Sequence, residues 1–119
     1  MEDLFILQIP HFRFNGDRIG MVIKFGYAGK ILNVDLSQGA LSDTATIDYT
    51  DRFVGGRGIA AKIYWDEVSP KAKPFDPENR LIFVNGPLAG FTGLAGSRWQ
   101  IFGKSPATTP ESFCYANLG

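Results

Sequence analysis

Cysteine and histidine occur once each in this chain, as Cys114 and His11, and their scarcity excludes several chemistries together. A lone cysteine closes no internal disulfide, and an iron–sulfur cluster is held by a set of thiolates, so these residues alone carry neither. One histidine far from one cysteine offers no zinc-ligand spacing. An excess of charge of one sign is missing too: 12 Lys and Arg balance 12 Asp and Glu. No whole-chain field therefore draws the protein to nucleic acid or to an anionic membrane. Long hydrophobic runs are also lacking. The apolar residues 4–7 follow acidic Glu2 and Asp3 and are too few to cross a bilayer or to read as a secretion signal. With an unpaired cysteine and no leader, a cytoplasmic location is expected. Neither internal repeats nor low-complexity tracts are visible, and 119 residues suit one small domain or part of one.

Glycine, by contrast, is plentiful. Gly86, Gly90, Gly93 and Gly96 fall within residues 86–98, which end in Ser97-Arg98. Glycine lets the main chain take positive φ and turn bare N–H groups toward an oxyanion, and a guanidinium forks onto a phosphate. Two readings stand: one wall of a phosphate-bearing cofactor site, or a surface loop closed by an arginine that pairs with a carboxylate.

Residues 1–20 show no sustained period and read as an irregular N-terminal extension. Patterning begins after Met21, so Met21 is expected to be the natural start and residues 21–119 the folded unit; native N-terminal peptides covering residues 1–20 would contradict this. Leu32, Val34 and Leu36 alternate with Ile31, Asn33 and Asp35, the period of a half-buried strand. Ser37-Gln38-Gly39 turns the chain, and residues 40–48 should return antiparallel as a β-hairpin. Thr50 is placed to cap a short helix through Phe53 and Val54, with Asp51 in its first turn and Gly55-Gly56 at its end. A second helix over residues 58–68 carries an apolar stripe of Ile59, Ala60, Ile63, Tyr64 and Val68 and stops at Ser69-Pro70. Residues 71–79, with Pro74 and Pro77 among charges, read as an exposed connector. Leu81, Ile82, Phe83 and Val84 form a buried strand that delivers the chain into the glycine-rich loop. Residues 99–102 and 112–116 are further strands, separated by turn signals that include Pro106 and Pro110.

Gly56-Arg57-Gly58-Ile59-Ala60-Ala61 satisfies G-x-G-x-x-A at a helix start. A dinucleotide fingerprint needs a preceding β-strand and a later acidic residue, whereas residues 50–54 read as helix. The glycines are therefore assigned to a helix stop and a tight helix start. Tyr64, Trp65 and Phe83 are assigned to packing rather than to base stacking. Arg57 and Lys104 are candidate second-rank anion ligands, weighed against solvated charges beside turns. Cys114, between Phe113 and Tyr115, reads as buried and inert.

The order of these pieces carries more information than any one of them. The hairpin of residues 30–39, Gly55-Gly56-Arg57-Gly58 opening a helix, Pro77-Glu78-Asn79-Arg80-Leu81-Ile82-Phe83, Gly86-Pro87-Leu88-Ala89-Gly90, Gly96-Ser97-Arg98, Lys104-Ser105-Pro106 and Ala116-Asn117-Leu118-Gly119 follow in series. From about Tyr27 onward this resembles the N-terminal domain of the tungsten-dependent aldehyde ferredoxin oxidoreductases. The resemblance implies an α+β fold, a mainly antiparallel sheet with two short helices, corresponding to the first of two similar halves of that domain. It implies an oxidoreductase in which tungsten sits between two molybdopterins beside a [4Fe-4S] cluster, aldehydes become carboxylic acids and ferredoxin takes the electrons. Relatives of the family include an aromatic acyl-CoA reductase subunit. By the same resemblance Arg98, Asn117 and Gly119 contact cofactor phosphate, and the Asn117 backbone carbonyl binds a Mg²⁺ ion that bridges the pterins. No catalytic residue is expected within this chain, and the cluster cysteines are absent from it. A truncated, inactive piece that needs the remainder of the enzyme is expected, with a homo-oligomer compatible and a sheet edge or apolar face left uncovered. The alternative is a stand-alone binding or assembly module without catalysis. Substrate and the choice of tungsten or molybdenum are not encoded here.

Overall fold

The computed structural model describes residues 26–90 and 96–119 and the backbone of residues 5–7. Pro10, His11, Met21 and the loop residues 91–95 lie outside the described residues. In chain order the elements are β1 (Phe5–Leu7), β2 (Lys30–Asp35), β3 (Ala40–Ala45), α1 (Ile47–Phe53), α2 (Arg57–Glu67), β4 (Leu81–Asn85), β5 (Trp99–Ser105) and β6 (Ser112–Leu118). They build one six-stranded sheet in the order β3-β2-β1-β4-β5-β6. Every neighbouring pair is antiparallel except β1 with β4. The α+β class with a mainly antiparallel sheet and two short helices is thus what the chain adopts.

Period-two alternation explains which side of the sheet holds the core. Ile31 of β2, Ile82 and Val84 of β4 and Phe102 of β5 lie on one face and cluster with Ile59, Ala60 and Ile63 of α2. Tyr49 and Phe53 of α1 pack against the same cluster, so both helices cover that face. Ala60 and Ile82 are 0% exposed, which places the centre of the core where α2 crosses β4. The opposite face carries the other half of each alternation, including Leu32, Val34, Phe83, Trp99 and Ile101, and among the described residues no helix or strand covers it.

The hairpin forms as its alternation indicates, paired from Lys30 with Ala45 to Asp35 with Ala40. Its turn is tied by Asp35, whose Oδ1 accepts from the Ser37 N–H at 2.9 Å and the Gln38 N–H at 3.0 Å, before Gly39 closes it at φ +64°. Such side-chain bonds to the following backbone are how Asp nucleates a turn.

Five expectations need correction. Residues 1–20 are not irregular throughout, because Phe5–Leu7 form a strand inside the sheet. Thr50 does not cap α1: the helix starts earlier, behind Thr46, and Thr50 is buried within it. Asp48 rather than Asp51 stands in the first turn, because Thr46 already leaves the hairpin with a helical backbone and donates its N–H to the Gly29 carbonyl at 3.1 Å. Trp65 is 83% exposed, since the stripe that faces the sheet runs through Ile59, Ala60 and Ile63 and turns Trp65 outward. Cys114 is half-buried rather than buried, 3.6 Å from the Ser112 hydroxyl on the edge strand. An edge strand has a sheet neighbour on one side only, which leaves its side chains more open.

Candidate functional site: one end of the sheet

The ends of four elements meet at one end of the sheet. There β4 finishes at Asn85, β5 begins at Trp99, β6 finishes at Leu118 and α2 starts at Arg57. The β5–β6 register, with Trp99 opposite Leu118 and Gln100 opposite Asn117, brings residues 97–98 alongside Gly119. The approach is close: a Cβ built on Gly119 would lie 2.5 Å from the Ser97 carbonyl oxygen and 3.0 Å from the Arg98 Cα. Gly119 also has φ +109°, so both space and backbone require glycine there. Arg98 and Gly119, far apart in sequence, are therefore brought together, with Asn117 two residues before Gly119 on the same strand.

Asn117 and Gln100 are joined across the strands, the Gln100 amide donating to Asn117 Oδ1 at 2.5 Å. The start of α2 lies beside them: Gly56, at φ +50°, donates its N–H to the Asn85 carbonyl at 3.2 Å. A Cβ there would sit 3.6 Å from Gln100 Oε1. The Arg57 guanidinium stacks over the Tyr115 ring at 4.0 Å, a cation–π contact that holds a positive charge beside β6. Arg98 is exposed, and among the described residues neither Arg57 nor Arg98 has a carboxylate within ion-pair distance. The reading in which Arg98 closes a loop onto a carboxylate finds no such partner there. Two cations without acidic partners among the described residues, Arg57 and Arg98, are what this end of the sheet offers to an anion such as a phosphate tail.

The glycine-rich segment is seen at its two ends. Ala89 donates to the Gly86 carbonyl at 3.0 Å and Gly90 to the Gly96 carbonyl at 2.7 Å, so residues 90 and 96 close the mouth of the loop. Pro87 is wedged between two glycines: a Cβ on Gly26 would overlap its carbonyl, and one on Gly55 would lie 2.7 Å from its Cδ. The Tyr27 hydroxyl donates to the Val54 carbonyl and ties the same corner together.

The G-x-G-x-x-A match is resolved as a helix start. It follows α1 rather than a strand, and a Cβ at Gly58 would run into the Phe53 carbonyl. Lys104 is not an anion ligand here, because its ammonium is held by the Ala72 carbonyl and, at 3.2 Å, by the Pro70 carbonyl. Gln100 was not singled out in the sequence, and Arg57 was read as a second-rank anion candidate without its stack on Tyr115. The only trace of Gln100 in sequence is a polar residue between Trp99 and Ile101.

An α+β unit of this topology, with Arg57 and Arg98 at one end of its sheet, is the kind of domain that the comparisons match. The model of the aldehyde ferredoxin oxidoreductase N-terminal domain matches residues 31–119, and the chain belongs to that family. The tungsten-containing aldehyde ferredoxin oxidoreductase of Pyrococcus horikoshii is 42% identical over 85 residues, 71% of this chain and 14% of that protein. The aliphatic sulfonate oxidoreductase WOR-like subunit of Pyrococcus furiosus is 36% identical over 86 residues, covering 69% of this chain and 14% of the relative. Among solved structures, a chain of the active-site complex BamBC of benzoyl coenzyme A reductase, solved with 1,5-dienoyl-CoA, matches with a TM-score of 0.68 at 38% identity. It covers 76% of this chain and 14% of that one. The chain thus spans a small fraction of the length of its relatives, which are oxidoreductases.

Proposed function

We propose that this chain is the first cofactor-holding wall of a tungstopterin oxidoreductase, with Arg98, Asn117 and Gly119 gripping the phosphate of a molybdopterin. The observation that carries the reading is the seating of Gly119 on the Ser97–Arg98 backbone. When bound, the tungsten–bis(molybdopterin) group supplies the redox chemistry. Arg98 pairs with the phosphate charge, Gly119 permits the close backbone approach that seats Arg98 beside it, and Gln100 holds the Asn117 side chain. The Asn117 backbone carbonyl is the proposed ligand of a bridging Mg²⁺, an ion that takes oxygen donors together with phosphates. A [4Fe-4S] cluster, if the assembled enzyme carries one, draws its thiolates from elsewhere, because Cys114 is the single cysteine here.

In the assembled enzyme the reaction is the oxidation of an aldehyde to a carboxylic acid with ferredoxin as electron acceptor, in the cytoplasm. Its catalytic residues are supplied by the remainder of the protein. The likeness to the BamBC complex favours a second reading, a piece of an aromatic acyl-CoA reductase subunit.

The test is pterin content. The chain is isolated anaerobically from a tungstate-supplied host making molybdopterin, together with the remaining portion of a family enzyme, and bound pterin is read by fluorescence after oxidation. Hydrogen bonds to a charged group contribute about 1.5–3 kcal/mol, so Arg98→Ala should lower pterin affinity roughly ten- to hundredfold. Pterin retained equally by Arg98→Ala and the parent chain, or bound by neither, would overturn the reading.

A further inference from the structure

Apart from Lys30 at the start of β2, the strands β2 to β6 lie inside the family-matching residues 31–119, yet they do not form a continuous sheet by themselves. In the order β3-β2-β1-β4-β5-β6 they fall into two blocks, the hairpin β2–β3 and the meander β4–β5–β6, with a single strand position between them. That position is filled by Phe5–Leu7, which come from outside the matching region. We propose that the space between β2 and β4 is a strand-accepting slot and that the N-terminal residues Phe5–Leu7 are its occupant, donated in cis.

Neighbouring strands stand about 4.8 Å apart, so two inner edges separated by one strand are about 10 Å from each other. That distance is too great for them to pair directly. Without an occupant the facing N–H and C=O groups of β2 and β4 would be left unpaired inside the sheet, each costing about 1–3 kcal/mol where water does not reach it. The occupant's geometry is specified on both sides. Phe5, Ile6 and Leu7 pair in parallel with Leu81, Ile82 and Phe83, and Leu7 pairs antiparallel with Leu32. The two flanking strands impose opposite directions relative to the occupant, and residues 5–7 meet both requirements. The strand is also short for its slot, three residues against six in β2 and five in β4.

The inference stands apart from the cofactor reading, because the slot lies between β2 and β4 and the phosphate-facing rim lies at β5 and β6. It also bears on the expectation that Met21 is the natural start, since a protein beginning there would have no β1.

The experiment is hydrogen–deuterium exchange on the full 119-residue chain, comparing the parent with Ile6→Pro and Ile6→Val. Proline removes a backbone donor from a strand flanked on both sides, whereas valine keeps it. Ile6→Pro should raise exchange at β2 and β4 amides at least tenfold while β5–β6 amides keep their rates, and Ile6→Val should leave all of them unchanged. Unchanged exchange at β2 and β4 in Ile6→Pro overturns the proposal. So does protection of the parent chain that rises with its concentration, which would place a second copy's strand in the slot. Should Ile6→Pro lose its fold, a synthetic peptide of residues 1–10 added in trans is expected to restore the far-UV circular dichroism, and failure to do so overturns the proposal equally.

Discussion

Single residues decide where the backbone can come close, and Gly58 shows how context reverses a general rule. Glycine inside a helix ordinarily costs about 0.5–1 kcal/mol relative to alanine. At Gly58 an added methyl would meet the Phe53 carbonyl, a backbone group that cannot swing away. Gly58→Ala should therefore destabilise the protein by about 1–3 kcal/mol through overpacking, seen as a lower midpoint in urea. A raised midpoint would mean that α1 and α2 are less tightly joined than this contact indicates. The sequence showed the glycine pattern and its place at a helix start, and the preceding helix was enough to set aside the dinucleotide reading. The carbonyl that makes glycine obligatory belongs to the end of the preceding helix, and only the fold shows how near it comes.

At the scale of elements, strands and the second helix were legible because their apolar periods are regular. The stripe of α2 is buried as its spacing indicates, and β2 and β4 fall where alternation or an apolar run places them, whereas β3 stops at Ala45, short of residue 48, and β5 and β6 run on past residues 102 and 116 to Ser105 and Leu118. The connector before β4 was read as an exposed link, yet it is anchored by one side chain. Asn79 donates to the Pro74 carbonyl at 2.7 Å and the Lys104 carbonyl at 3.2 Å. It accepts from the Tyr64 hydroxyl at 2.9 Å and the Lys104 N–H at 3.3 Å. It thereby ties connector, α2 and β5 together. Asn79→Ala should cost about 1–3 kcal/mol, because it leaves half-buried groups unpaired, and should raise proteolytic nicking within residues 70–79. An unchanged denaturation midpoint would show that water replaces those bonds without loss. Asparagine beside prolines reads as a turn residue from sequence, and its four partners come from three elements that only folding assembles.

For the whole molecule, proton binding reports on the packing of the helices against the sheet and against acidic neighbours. Burial first, then the carboxylates of Glu67, Asp66 and Asp48, raises the Tyr49 phenol above its ordinary 10.0. Burial also raises Tyr64, partly offset by the Lys104 backbone N–H. The folded state thus holds both protons more tightly than the unfolded chain. Their contribution to stability is complete below the ordinary tyrosine value and drains away as pH climbs through the raised folded values. Stability measured across that alkaline range should fall, and Tyr49→Phe and Tyr64→Phe should each flatten the slope. A slope unaltered in both variants would place the alkaline loss in other groups. At the same scale Leu41 is 70% exposed and Leu118 42% exposed on the sheet face that no helix covers among the described residues.

By itself the sequence determined the fold class and the family, and it marked Arg98, Asn117 and Gly119 as the residues to follow. Those features are written in local periods, in glycine and proline punctuation and in the order of short motifs along the chain. Tertiary structure decided which of them share a place. The β5–β6 register seats Gly119 on Arg98, a contact between residues distant in sequence, and the sheet order gives residues 5–7 a central position that no local pattern marks. The physical reason is the same in both cases: strand pairing satisfies backbone groups between segments remote in sequence, and backbone groups are alike at every residue.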